Sequence, residues 1–414
     1  MHIKLSSQGS DRATAYNISN KIIRRGNELF VGWLDAPQKQ GDPVTIQIGV
    51  CNSQTGELSH TIQLGEGRDN HCGPALLLDH NNRLHVLIGA HHGDFLHRWS
   101  DNPSDPKTWS DPVPIGPKHS YPAFCIDKDG TLHLAWRESG DIWQLQYTRK
   151  HPTGNWEKPM AIAQSPTPGY NHFMHSLSVG PTGTLHLTFQ FHYSESGHAR
   201  ECLGKSAVHI TSSDGGDTWT NEGQACDLPL TIETAKPFAQ CYNNPTHSLR
   251  IGTHVIDAHD HPWLFCSMPD SQSGVMWRKT NQGWQRIDLA ESLPSIDLSQ
   301  GKSTAVSYDP QGNIHLLVGT RPDGEPSPWY DPTHELFHIT LTPNGAVIGC
   351  EQLTETDPNN ARWLPAIEQW NWTNPTQISD KHWYLYTSGV NAGLFSDPTY
   401  DYTKTTEVYL GKLS

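Results

Sequence analysis

The 414-residue chain contains 35 Gly, 30 Pro and 15 Trp, a composition typical of many short strands joined by turns. Its formal net charge of −14 argues against a nucleic-acid-binding protein, because phosphate contacts require clustered Lys and Arg. The sequence has no apolar run of the ~20 residues that cross a bilayer, so we expect neither nucleic acid nor membrane as a partner.

The eight cysteines form no Cys-x-x-Cys pair, and we expect buried thiols rather than a disulfide framework. The first residues, MHIKLSSQGS, lack the apolar central region of a secretory signal. Two locations therefore stay open: the cytoplasm, or secretion or the periplasm after removal of a signal. We expect a monomer.

One phrase recurs along the chain: a polar turn with Gly or Asn, followed by an apolar strand that often begins with Leu-His. A strand-like run precedes each copy, and most copies are followed by two more runs around a turn. Four strands per unit at this spacing are typical of β-propeller blades. The seven copies lie at residues 24–35, 79–90, 127–138, 180–191, 257–268, 309–320 and 379–389.

We therefore predict an all-β fold, a seven-bladed propeller of four-stranded antiparallel blades that forms one domain over residues 1–414. Six or eight blades stay open as alternatives. The last unit ends with a strand at residues 406–413, and N-terminal residues 2–6 are expected to pair with it and close the ring. Residues 212–219, SSDGGDTW, match the Asp-box pattern, which we interpret as a structural turn.

The second unit carries histidines at both outer ends of a predicted hairpin, Pro74–Leu78 and Leu84–Ala90. His71 precedes the first strand, and His91 and His92 follow the second. In an antiparallel hairpin the start of one strand and the end of the next lie at one edge, so these imidazoles should lie close together.

The same rule brings side chains of the other units to this edge of the ring. Tyr121 and Arg137 of the third unit join the histidines of the second as catalytic candidates. The histidines inside the Leu-His phrase are expected to be structural: His85, His133, His186 and His315. The remaining candidates, assigned to substrate binding, are His119, Asn171, His172, His192, His247, Arg321 and Trp363.

Guanidinium, imidazole and phenol without a carboxylate pair suit abstraction of a proton alpha to a carboxylate. Arg binds carboxylates and keeps its charge, whereas His and Tyr transfer protons. Glycoside hydrolysis usually needs two Asp or Glu residues. We therefore expect an acidic, uronate-containing polysaccharide as substrate, cleaved by β-elimination. Arg137 would neutralise the C5 carboxylate, a His or Tyr would remove the C5 proton, and a Tyr or His would protonate the leaving oxygen at C4.

The motifs DNHCGPALLLDHNNRLHVLIGAHHG and HSYPAF…LAWR resemble those of the BNR-repeat propellers that include the ulvan lyases. The resemblance implies a seven-bladed propeller with a substrate canyon, a sulfated polymer such as ulvan as substrate, and a working set of two histidines, a tyrosine and an arginine. These fall on His71, the His91–His92 pair, Tyr121 and Arg137. Lys118, Arg137 and Arg321 would give the canyon a basic field.

No cofactor is expected for catalysis. A structural zinc or calcium ion stays open, with His198, Cys202, His254 and Cys266 as ligand candidates, although no compact ligand spacing supports it. The spacing allows His254 and Cys266 to be cross-strand neighbours.

Two other functions stay open. One is a glycoside hydrolase on the same fold, similar to an α-L-rhamnosidase that acts on rhamnose-glucuronic acid. The other is a non-catalytic carbohydrate-binding propeller that uses Trp side chains as stacking platforms. A sialidase is disfavoured because an arginine triad is not evident.

Overall fold

The computed structural model describes residues 2–89, 91–241, 248–268, 274–298, 304–323, 331, 333–373, 381–390 and 400–414. In this part the chain is an all-β propeller, and its helices are single 3-10 turns at Pro106–Thr108, Ala199–Glu201 and Leu289–Glu291. None of the helices described is long and apolar enough to span a bilayer.

The first half of the chain contains the strands β1 (His2–Gly9), β2 (Ile22–Arg25), β3 (Glu28–Asp35), β4 (Val44–Asn52), β5 (Leu58–Gly67), β6 (Ala75–Leu78), β7 (Leu84–Ile88), β8 (His91–Gly93), β9 (Leu96–Ser100), β10 (Val113–Pro114), β11 (His119–Ile126), β12 (Leu132–Glu138), β13 (Gln144–Lys150), β14 (Met160–Gln164), β15 (His175–Val179) and β16 (Leu185–Tyr193). The second half contains β17 (Leu203–Ser212), β18 (Thr220–Asn221), β19 (Gln224–Ala225), β20 (Pro237–Gln240), β21 (Arg250–Ile256), β22 (Pro262–Ser267), β23 (Val275–Thr280), β24 (Gly283–Asp288), β25 (Thr304–Tyr308), β26 (Ile314–Thr320), β27 (Glu335–Leu341), β28 (Val347–Gln352), β29 (Ala361–Ile367), β30 (Trp383–Gly389) and β31 (Thr406–Lys412).

These strands form antiparallel sheets of eight, four, five, six, four and four strands. The predicted pairing of the termini is confirmed, since β1 lies beside β31 with His2 opposite Gly411. The prediction of seven separate four-stranded blades is not confirmed. One reason is that β1 also pairs with β3, through Gly9 and Asp35, which joins the first and last units in one sheet.

The hairpin predicted in the second unit is present as β6 and β7, with Ala75 opposite Leu87. The predicted second strand ended at Ala90, which lies outside the described residues. The chain then leaves this sheet: β8 pairs with β11 of the next sheet, with His91 opposite Ser120. This crossing carries His91 toward the following unit.

Residues 10–21, named here the central segment, form an almost wholly buried stretch between β1 and β2. Buried backbone outside regular strands needs hydrogen-bond partners. Part of the segment bonds within itself, since the backbone N–H groups of Ala13, Ala15 and Ser19 donate to the carbonyls of Ser10, Arg12 and Tyr16. Other bonds reach four different sheets, which places the segment at the middle of the ring: the side chains of Thr14, Asn17 and Ser19 donate to the carbonyls of Leu364, Thr304 and Pro122, and the carbonyl of Asn20 accepts from the N–H of Leu76.

The histidines of the Leu-His phrase are structural in their contacts. Asp79 accepts hydrogen bonds from the turn amides of Asn81 and Arg83 and lies 3.3 Å from Nε2 of His85. Nδ1 of His85 in turn lies 2.9 Å from Nε2 of His97 on the outer strand. We name this arrangement the Asp-His latch, and it recurs as Asp309–His315–His338. Two variants occur: Asp127–His133–Tyr147 has a phenol in place of the second imidazole, and in Asp260–His186–His209 the aspartate lies in the β21–β22 turn of another sheet, 3.4 Å from His186.

Candidate active site

Asp69 joins two imidazoles at one edge of the ring. Its Oδ2 lies 2.7 Å from Nδ1 of His91, and its Oδ1 lies 3.2 Å from Nδ1 of His71. The two rings are stacked, with centroids 4.4 Å apart and planes inclined by 14°. Because an ionised carboxylate only accepts hydrogen bonds, each Nδ1 carries the proton and each neutral ring keeps its lone pair on Nε2.

An arginine from a different element faces each of these lone pairs. Nη1 of Arg12, on the central segment, donates to Nε2 of His71 at 2.8 Å. Nη2 of Arg137, on β12, lies 3.3 Å from Nε2 of His91. The chain Arg12–His71–Asp69–His91–Arg137 is named here the site cluster. Asp11 lies beside Arg12, whereas the described residues place no carboxylate in a salt bridge with Arg137, so the charge of Arg137 favours an anionic ligand.

The surroundings keep both imidazoles neutral near pH 7. Burial alone would raise the pKa of Asp69, but hydrogen bonds from His71 and His91 hold it below its ordinary value. Burial, followed by the charge of Arg12, lowers the pKa of His71 to about 4. Burial, followed by the neighbouring His71, lowers the pKa of His91 to about 3. Neutral imidazole is the form that can accept a proton.

Tyr121 enters the site from an irregular point in β11. The strand register shifts between Ser120 and Ala123, and Tyr121 has φ +62°, in the left-handed region that a tyrosine rarely adopts. Bulges of this kind redirect a side chain, and strained backbone is concentrated at functional sites. The Tyr121 ring centroid lies 5.6 Å from that of His91. Burial raises the pKa of Tyr121 well above its ordinary value despite the charge of Arg137, so the phenol stays protonated.

Arg137 is completely buried among aromatic rings. Its guanidinium carbon lies 4.4 Å from the ring centroid of Tyr121, 4.7 Å from Trp143 and 5.2 Å from Tyr170. Nη1 donates to the Tyr170 hydroxyl at 3.3 Å. Within the described residues its Nε–H has no hydrogen-bond partner, so the site keeps an unused donor.

The structure separates the two adjacent histidines that the sequence left equivalent. His91 contacts Asp69, His71 and Tyr121, whereas Nδ1 of His92 lies 3.0 Å from the Ser139 hydroxyl. Burial, followed by His91, lowers the pKa of His92 to about 3. His91 is therefore the member of the pair that belongs to the site cluster.

One substrate-binding candidate lies beside the site. The His172 ring centroid is 5.6 Å from that of Tyr121, and its Nδ1 has no hydrogen-bond partner in the described part of the chain. Burial lowers its pKa well below the ordinary value.

The other substrate-binding candidates lie elsewhere or in the interior. His119 is buried against Trp136 and Phe95. Asn171 is buried and accepts a hydrogen bond from the backbone of His192, which is itself buried. Arg321 pairs with Asp323 and Asp331, and Trp363 is buried beside Ala15. His247 lies outside the described residues.

The four metal-ligand candidates do not form one cluster. His254 lies opposite Leu264 and Cys266 opposite Ile251, so the expected cross-strand pair is wrong. Both ring nitrogens of His254 contact hydroxyls, of Ser178 at 2.5 Å and Thr188 at 2.8 Å. The Cys202 thiol contacts the carbonyl oxygen of His198 at 3.3 Å.

Metal-ligand atoms do converge at one place in the described residues, Asp69, His71 and His91. There each Nδ1 is directed to Asp69 and each Nε2 faces a guanidinium. Two positive charges in contact with the imidazoles disfavour a cation, so these residues do not fit a metal site.

The sequence analysis missed Asp69, Arg12, Tyr16, Trp143 and Tyr170. Asp69 had a signal, because it lies two residues before His71 in the loop that was singled out. Arg12 and Tyr16 had none, since they lie 59 and 55 residues from His71 in a segment outside the repeat.

Comparisons with known proteins agree with this fold. A polysaccharide lyase described as an ulvan lyase of a new family aligns with a TM-score of 0.68 over 94% of this chain and 93% of its own, at 15% identity. An ulvan lyase structure bound to -[GlcA(1-4)Rha3S]- gives 0.67 with the same coverage and identity. The polysaccharide lyase Uly1 gives 0.56 over 99% and 98% of the two chains, at 12% identity.

At these identities the likeness shows the fold alone. Comparison with curated proteins finds no match. Residues 36–292, more than half of the chain, match the BNR repeat-containing family. The chain therefore belongs to the BNR repeat-containing family.

Proposed function

We propose that this protein is a polysaccharide lyase that cleaves a uronic-acid-containing polymer by β-elimination. One observation carries the proposal: the contact between a buried arginine, a protonated tyrosine and two neutral imidazoles, Arg137, Tyr121, His71 and His91. In the described part of the chain, Asp69 is the one carboxylate bonded to these imidazoles, and both its oxygens are engaged. The carboxylate pair of a glycosidase is therefore missing from this cluster.

The chemistry follows from the charge state of each group. The uronate carboxylate binds Arg137, which stabilises the negative charge that develops when C5 loses its proton. Nε2 of His91 accepts that proton, since the ring is neutral, its Nδ1–H is held by Asp69 and its contact with Arg137 is 3.3 Å, whereas Nε2 of His71 is bonded to Arg12 at 2.8 Å. Tyr121, which stays protonated, gives its proton to the O4 leaving group as the C4–O4 bond breaks and a C4–C5 double bond forms. No water is consumed.

The fold of the ulvan lyases supports a sulfated, ulvan-like substrate. One of those enzymes has been described in complex with -[GlcA(1-4)Rha3S]-, which contains a uronate and a sulfate. The guanidinium group of Arg137 would favour such a polyanion despite the negative net charge of the protein.

Incubation with ulvan tests the proposal directly. Elimination yields an unsaturated uronate, so ultraviolet absorbance rises and product masses equal the sum of intact sugar residues. Products that are heavier by one water, with no rise in absorbance, would instead identify a hydrolase such as the α-L-rhamnosidase-like alternative. Binding of the polymer without any product would favour a non-catalytic carbohydrate-binding propeller.

We also propose that the ring has seven blades and that residues 1–414 form one domain. The innermost strands β2, β6, β11, β15, β21, β25 and β29 pack successively around the ring, and β30 returns to β2. The eight-stranded sheet would then be two four-stranded blades joined at the single Gly9–Asp35 pair.

A further inference from the structure

The central segment comes unusually close to the loop that carries His71. A Cβ atom on Gly73 would lie 1.9 Å from the carbonyl oxygen of Ala15 and 2.8 Å from Nζ of Lys21. Any side chain at Gly73 would therefore push the central segment away from this loop. The close packing positions Arg12, three residues before Ala15, against the imidazole of His71.

Arg12 is held on both sides in this position. It is 4% exposed, and Nη1 contacts Nε2 of His71 at 2.8 Å and the Tyr16 hydroxyl at 2.7 Å. Asp11 lies 3.9 Å from its Nε and supplies a nearby counter-charge. Because a guanidinium only donates hydrogen bonds, this contact requires an unprotonated Nε2 on His71.

Tyr16, which is bonded to Arg12, also lies beside the rings of His71 and Tyr121. Its ring centroid lies 5.6 Å from that of His71 and 5.4 Å from that of Tyr121. Burial, against the opposing charge of Arg12, raises the pKa of Tyr16, so its oxygen is a neutral acceptor for the guanidinium. Two residues of the N-terminal region therefore line the imidazole pair.

We propose that Arg12, oriented by Tyr16, is a positioning residue of the active site that keeps His71 neutral and fixes its Nδ1-protonated tautomer. The role rests on the proposed active site but does not depend on which polymer is cleaved. It makes the central segment a functional part of the site as well as the filling of the ring.

Substitution of Arg12 by Gln tests the proposal, with the His71 imidazole followed by NMR in histidine-labelled protein. The signal is assigned by its loss in a His71→Gln variant. The pKa of His71 is about 4, and the charge of Arg12 is the second cause of its lowering after burial. Burial and the charge of Arg137 still lower the pKa in the variant, and Asp69 still raises it, so the pKa of His71 should rise above 4 and stay below 6.5.

The other groups that face His71 stay in place in this variant, so the shift reports on Arg12. They are Asp69 of its own loop, Tyr16 of the central segment, His91 of β8, Tyr121 of β11 and Arg137 of β12.

Thr14→Val is the matched control from the same segment. Thr14 bonds Leu364 and Thr387, and none of its hydrogen bonds involves His71. This variant should lower the melting temperature and leave the His71 titration unmoved. Arg12→Lys retains the positive charge and should restore most of the low pKa.

An unchanged His71 titration in folded Arg12→Gln would overturn the proposal. If that variant does not fold, Tyr16→Phe takes its place. Loss of the oxygen that orients the guanidinium should raise the pKa of His71 by a smaller amount. An unchanged pKa of His71 in Tyr16→Phe would overturn the proposal. If the wild-type protein cleaves no polymer, the proposed lyase function is refuted. The His71 titration still decides whether Arg12 keeps His71 neutral. Where cleavage occurs, Arg12→Gln should lower kcat and shift the acid limb of its pH profile upward.

Discussion

The site cluster and the Asp-His latch of β26 and β27 both contain a carboxylate beside two imidazoles, and they differ in how these groups are connected. In the latch of β26 and β27 the groups stand in series: Asp309 bonds Nε2 of His315, and Nδ1 of His315 bonds Nε2 of His338. In the site cluster Asp69 lies between the two rings and bonds Nδ1 of both His71 and His91.

This difference separates a structural contact from a reactive one. Both nitrogens of His315 are used inside one sheet, where they tie the turn at Asp309 to the neighbouring strand β27. In the site cluster each ring keeps Nε2 directed away from Asp69, toward an arginine supplied by another part of the chain. The pattern of hydrogen bonds, rather than the residue types, therefore distinguishes the two regions.

Removal of one imidazole from each region should give the largest contrast. His91→Asn removes a proposed proton acceptor, so turnover should fall roughly 10²- to 10⁴-fold, the usual contribution of a general acid or base. His338→Gln removes a latch imidazole and should leave turnover close to that of the wild type while lowering the melting temperature. Turnover is measured from initial rates on the polymer that the protein cleaves, and stability from thermal unfolding of both variants. An equal loss of turnover in both variants would refute the distinction between reactive and structural imidazoles.

Tyr121→Phe tests the phenol without removal of the ring. The aromatic contact with Arg137 stays, so the fold and polymer binding should be retained while turnover falls roughly 10²-fold or more, because the leaving oxygen loses its proton donor. The matched latch variant is Tyr147→Phe, which removes the hydroxyl bonded to His133. That variant should be less stable but active, and retained turnover in Tyr121→Phe would exclude the phenol as the acid.

Asp69→Asn should have a smaller effect because it removes no reacting group. The imidazoles lose the acceptor that fixes their tautomer, and turnover should fall roughly 10- to 100-fold, the loss seen when a carboxylate that orients a metal-bound imidazole through its second nitrogen is removed. Asp309→Asn makes the same change in a latch and should alter stability alone. The kcat of the two variants is compared, with circular dichroism to confirm that both are folded. A fully active Asp69→Asn variant would contradict the bridging role of Asp69.

The sequence predicted the edge of the ring but not the directions of side chains. The rule for antiparallel hairpins correctly brought the start of β11 and the end of β12 together, since Ser120 lies opposite Arg137. The same rule also predicts His119 and Asn171 at this edge, but their side chains are buried in the interior. Alternate residues of a strand face opposite sides, and a one-residue bulge reverses that assignment, so position along a strand does not decide exposure.

The repeat pattern does not predict which residues contact His71. Arg12 lies in a segment that matches no blade and meets His71 only because the central segment is folded through the middle of the ring. The crossing of β8 to the next sheet, which separates His91 from His92, likewise has no signal in the spacing. Long-range packing of irregular segments, rather than local periodicity, decided the connections of the site.

The smallest predicted effect is a pH dependence of stability that both regions share. Burial is the first cause that lowers the pKa of His71, to about 4, and of His338, to about 4, against 6.5 for ordinary imidazole. Between pH 6.5 and 4 the unfolded chain binds protons that the folded chain does not, so the free energy of unfolding falls as pH falls, by about 1.4 kcal/mol per pH unit for each such imidazole. The melting temperature should therefore be lower at pH 5 than at pH 7, and the difference should be smaller in His338→Gln, which has lost one of these groups. A melting temperature that does not change between the two pH values would show that the folded and unfolded chains bind equal numbers of protons over this range, which would contradict the lowered pKa values of the buried imidazoles in both regions.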